Sequence, residues 1–228
     1  RVPRPLITSI FYFLFFLKIF DLKKEVNQKI NFKYFLFIIF LLSCILNSFF
    51  YHFLNFLLLL IFLFLLYSKN ILSKIFVNNI KKFFFLILFF IFFSSPFLMQ
   101  LLFGQSDYSN RIGVINIDLD EKMFLVKYFL KSLMRWEFLL IITPCIFMYI
   151  FLNFLSKNNF EPIRKINIFF YFIVISILSP VIFFLASPKV ISIYHFLIII
   201  KFSCLFYLFL SLFYYFYEKL IFFNKKNF

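Results

Sequence analysis

From Tyr34 to Tyr67 the chain runs for 34 residues without a lysine, arginine, aspartate or glutamate. No water-soluble fold hides an uninterrupted stretch of that kind, because an amphipathic helix or strand needs a polar face. A bilayer accepts it, since about 20 predominantly apolar residues cross the hydrocarbon as a helix. Further runs of span length lie at 83–103, 129–155, 166–187 and 190–217. The run at 34–67 is too long for one simple span, and SFFYHFLN (48–55) supplies its central polar atoms through Ser48, Tyr51, His52 and Asn55. A tight turn there divides it into spans at about 34–50 and 53–67.

Composition agrees with this reading. Hydrophobic residues make up 64% of the chain and 46 of its 228 residues are Phe, which leaves too little polar surface for a soluble globule. The bias toward Phe, Leu, Ile, Lys and Asn, with two Gly, matches what an AT-rich mitochondrial or bacterial genome encodes. Lys and Arg outnumber Asp and Glu by 24 to 9. In a membrane chain that excess orients loops and does not imply nucleic acid.

The charges test the division into spans. Segments 18–33, 68–82, 156–165 and the tail after 217 carry 15 basic residues, whereas 51–55, 104–122 and 188–192 carry 3. Segregation by alternate loops is the positive-inside pattern. It predicts an all-α polytopic membrane protein with six spans and both termini on the positive, matrix or cytoplasmic side. The remaining parts are an N-terminal apolar and basic segment (1–33), a short basic tail (218–228) and an outer cap at 104–122 holding Asp107, Asp118, Asp120 and Glu121. Residues 5–20 within the first segment are apolar but short and carry Lys18. They fit an interfacial helix or a leader segment.

Polar residues inside apolar runs are the candidate functional positions. Lys127, Lys131 and Arg135 recur every fourth residue and predict an amphipathic lead-in that continues into the fourth span, with Trp136 at the interface. Glu137 then enters hydrocarbon, and Lys201 sits in mid-span in the last run, so an intramembrane Glu137–Lys201 pair is expected. Pro144 and Pro180 should bend their helices, as Pro188 should the turn that follows. Cys44, Cys145 and Cys204 stand singly with no metal or redox spacing. No phosphate loop, nucleophile elbow or zinc spacing occurs, and His52 and His195 read as interfacial polar residues. The expectation is a non-enzyme without a cofactor.

KYFLKSLMRWEFLLIITPCIFMYIFLNFL (127–155), RKINIFFYFIVISILSP (164–180) and SPKVIS (187–192) resemble the fourth span, the fifth span and the following turn of the TatC family, the large subunit of the twin-arginine (Sec-independent) protein translocase. Membership implies a receptor and channel subunit in a mitochondrial or bacterial inner membrane. It would move folded protein substrates on the proton gradient, within a hetero-oligomeric complex that includes small single-span partners. The family's signal-binding acids correspond in region to Asp21 and Glu25. The chain departs from the family at Lys189, where an acid is usual, and at ILSKIFVNNIKKF (71–83), which lacks the family's Pro-Gly-Leu and acid. Two other classes fit the layout: the membrane anchor of a sulfatase-like phosphoethanolamine transferase, and a structural subunit of a respiratory or transport complex.

Overall fold

Long apolar runs leave the backbone no partner but itself, so they coil. The structure, a computed structural model, describes residues 4–20, 32–48, 50–67, 80–103, 115–116, 118–155, 161–186, 189–190 and 193–226. Eight helices occur among them: α1 (Arg4–Phe20), α2 (Phe32–Ser48), α3 (Phe50–Tyr67), α4 (Ile80–Phe103), α5 (Leu119–Leu133), α6 (Trp136–Leu155), α7 (Glu161–Ala186) and α8 (Ile193–Lys226). The chain divides into two compact units, 1–115 and 116–228. The two-residue strands β1 (Ile115–Asn116) and β2 (Lys189–Val190) pair with each other.

Among the described residues, three helices contain stretches long and apolar enough to cross a membrane: Trp136–Phe154 in α6, Lys165–Phe183 in α7 and His195–Tyr217 in α8. Shorter apolar stretches are Ser9–Phe20, Phe32–Ser48, His52–Leu66 and Phe84–Gln100. The chain is therefore an all-helical protein of membrane type.

In the first unit α2 is the hub, touching α1, α3 and α4. Its Ile38, Leu41, Leu42 and Ile45 recur at helical spacing and are buried. They meet a core that also takes in Phe15 and Ile19 of α1 and Phe56, Leu59 and Leu63 of α3. With no glycine in these helices, rings fill the space between backbones. Phe35 stacks on Phe64 at 5.6 Å between centroids, Phe53 on Phe90 at 5.7 Å, and Phe40 meets Phe93 edge-on at 5.3 Å. Each such pair adds about 0.5–1.5 kcal/mol beyond area burial. The 5–20 stretch is part of this packing, as α1: Phe15 meets Phe56 edge-on, and the Tyr34 hydroxyl donates to the Lys18 carbonyl.

In the second unit α7 and α8 pack along each other, α6 lies against both, and α5 also touches all three. The expected continuous helix over 129–155 is corrected here. α5 ends at Leu133, the chain turns at Met134–Arg135, and α6 starts afresh at Trp136. The amide of Met134 donates to the Leu130 carbonyl and that of Arg135 to the Ser132 carbonyl, tightening the last turn of α5. The Arg135 carbonyl then accepts from Phe138 and Leu139 and opens α6. Asp120 and Glu121 stand in the first turn of α5 and Lys131 in its last, each sign complementing the helix dipole.

Candidate functional site

Glu137 and Lys201 are not brought together as an ion pair. Both side chains are exposed, and among the described residues neither has a hydrogen bond or ion pair. The break before α6 is the physical reason. It puts Glu137 in the first turn of a new helix, whereas Lys201 lies eight residues beyond the start of α8. Counted from the contact of Cys145 with Cys204, Glu137 lies eight residues back and Lys201 three, so at 1.5 Å per residue the two differ by about 8 Å along their helices. Pro144 and Pro180 lie inside α6 and α7, which continue through them. Asp21, Glu25 and Pro188 fall outside the described residues, as does most of the expected cap. His52 stands in α3 with its ring 4.7 Å from that of Tyr12. Among the described residues, no three His, Cys, Asp or Glu side chains cluster as a metal site would require.

What the second unit does bring together is a seam of neutral polar groups between α6, α7 and α8. Cys145, Tyr149 and Asn153 recur every fourth residue on α6, and Cys204, Tyr207 and Ser211 recur at three and four on α8. At one end the fully buried Cys145 thiol shares its one proton between the Ile141 carbonyl at 3.2 Å and the Cys204 carbonyl at 3.5 Å, linking α6 to α8. At the other, the Asn153 carboxamide donates to the Tyr149 carbonyl at 2.8 Å and accepts from Asn167 at 2.9 Å, tying α6 to α7. Between them a ladder of rings crosses all three helices. Tyr149 stacks on Phe170 at 4.1 Å, and Phe170 leans on Tyr207 at 5.6 Å.

Among the described residues, the buried Asn167 Oδ1 and Ser176 Oγ have no hydrogen-bond partner. Each carries a desolvation cost of about 1–3 kcal/mol. The seam contains no Asp, Glu, Lys, Arg or His. The arrangement suits hydrogen bonding between helices rather than charge compensation. Sequence reading took the three cysteines as isolated, because positions 59 residues apart in the chain carry no spacing signal.

A second polar arrangement, also unread in the sequence, lies in the first unit at Pro96 of α4. Proline donates no hydrogen bond, so the carbonyl four residues back, Phe92, loses its helical partner. The Ser95 hydroxyl donates to it at 2.7 Å. The next pair in the helical ladder, the Phe97 amide and the Phe93 carbonyl, are both engaged by Asn47 of α2. Its Nδ2 donates to Phe93 at 2.8 Å and its Oδ1 accepts from Phe97 at 3.1 Å. Nδ2 also donates to the Ser43 carbonyl at 2.8 Å, within α2 itself. One carboxamide thus presents a peptide-like donor and acceptor to a proline-containing helix, as apolar surroundings require. The sequence signal was present: an asparagine in one apolar run and a Ser-Ser-Pro in another.

Searches with the sequence and the structure find no matching protein-family model, curated protein or solved structure.

Proposed function

We propose that the chain is a six-span integral membrane subunit with both termini on one side, acting in a Sec-independent, twin-arginine type protein translocase as the receptor and channel component. The resemblance over 127–192 supports the type, and the alternating loop charges support the layout. The observation that carries the subunit reading is the openness of α6. Only 11% of its span-length stretch is buried, against 56% for α7 and 33% for α8. Leu140, Phe147, Ile150 and Phe154 stand exposed on it. A helix so bare, yet fixed to its neighbours by Cys145 and Asn153, is a wall for a second apolar helix. Small single-span translocase subunits are the partners this reading assigns to it.

Asp21 and Glu25 are assigned to signal recognition, because a carboxylate matches the guanidinium fork of a twin-arginine motif. The variant D21N/E25Q is expected to abolish transport of a twin-arginine substrate while the protein still accumulates in the membrane. Affinity purification in mild detergent is expected to retain single-span amphipathic partners, and substituting polar residues at Phe147 and Ile150 should release them. Recovery of respiratory subunits instead would replace the translocase reading with that of a structural component. Reporters at the two termini should both register the positive compartment; opposite compartments would overturn the six-span layout.

A further inference from the structure

We propose that Lys127, Lys131 and Arg135 form a binding stripe for the headgroups of anionic phospholipids. The three lie four residues apart, two on α5 and Arg135 at the turn that follows it. All are exposed, and among the described residues none of the three side chains is hydrogen-bonded or ion-paired. On the other side of α5, Val126, Phe129 and Leu133 are buried, and the helix touches α6, α7 and α8. The stripe therefore points away from α6, α7 and α8.

Its flanks decide the occupant. On one side of the stripe Met123, Leu130 and Met134 are exposed, and on the other Phe124 and Tyr128. A soluble acidic ligand would satisfy the cations and leave these large apolar groups in water. A phospholipid satisfies both, with phosphate on the stripe and acyl chains against the flanks. Placement agrees, since the stripe ends one residue before Trp136, which is exposed and opens the span-length helix α6. Indole rings favour this headgroup level. Along the chain the nearest acids are Asp120 and Glu121 at the far end of α5 and Glu137 at the start of α6. They leave the middle of the stripe uncompensated.

The inference rests on the bilayer placement of α6, and the protein carries its own probe for both. Trp136 is the chain's one tryptophan. The full chain, reconstituted in phosphatidylcholine bilayers, would be doped with equal mole fractions of brominated phosphatidylglycerol or brominated phosphatidylcholine. Near an anionic surface each basic residue gives about a fivefold preference. Brominated phosphatidylglycerol should quench Trp136 as though enriched severalfold over its bulk fraction, and less so at high salt. Brominated phosphatidylcholine should quench in proportion to its bulk fraction. The variant K127Q/K131Q/R135Q should lose the preference with an unchanged emission maximum and helical circular dichroism, and K127R/K131R/R135K should keep it. Equal quenching by the two lipids in the native chain would overturn the site, and so would a preference that survives the neutral triple variant. An acidic partner helix seated on the stripe would produce the former result. Absence of quenching by either lipid would overturn the bilayer placement as well.

Discussion

Asn47 shows how one side chain can decide the behaviour of another helix. It engages the Phe93 carbonyl and the Phe97 amide, the pair of backbone groups next to the carbonyl that Pro96 leaves without a donor. The substitution N47A is expected to destabilise the protein by about 1–2 kcal/mol, since side-chain hydrogen bonds within membranes average about 0.6 kcal/mol each. In a P96A background the same substitution should cost less than half as much, because the restored backbone bond no longer needs a surrogate. Denaturation of the four-member mutant cycle in mixed micelles measures this coupling. The cysteines offer a second check. Cys44 is partly exposed, while Cys145 and Cys204 are fully buried. N-ethylmaleimide should label Cys44 first, and the other two only on denaturation, as followed by mass spectrometry.

At the scale of the element, Asn153 and Asn167 hold α6 against α7 through a single side-chain bond of 2.9 Å. Replacing either by leucine should cost stability, and the coupling between them should fall near 0.6 kcal/mol and no higher than about 1.7. A coupling of zero would show that the ring stack of Tyr149 on Phe170 holds the helices without it. Most helices were legible in the sequence because apolar runs and charged gaps mark them: the runs at 34–50, 83–103 and 166–187 correspond to α2, α4 and α7. The division of 129–155 was not legible. Met134 and Arg135 are good helix formers, so neither propensity nor apolar content marks the turn between them. The Glu137–Lys201 expectation inherited that error, because depth along a helix was counted from a start that the backbone does not use. The seam was illegible for a different reason: tyrosine, serine, asparagine and cysteine scattered in apolar runs give no local pattern until three helices converge. The residues of the Pro96 site are visible in the sequence, but a neutral amide in an apolar run carries no charge to single it out.

For the whole molecule, the decisive property is the character of its outward surface. Phe84, Phe92 and Phe103 of the first unit and Phe147, Phe154, Phe202 and Phe209 of the second are all exposed. Such an area in water would drive aggregation. The protein should therefore remain in the membrane pellet after alkaline carbonate extraction and leave it only with detergent; recovery in the soluble fraction would contradict the membrane assignment. The bare flank of α6 carries this further. Whatever settles against it arrives by lateral diffusion within a sheet, so its occupancy follows the number of neighbours per unit of membrane area. Doubling the expression of a companion, or diluting both with added lipid, would then shift the association with no alteration to either chain.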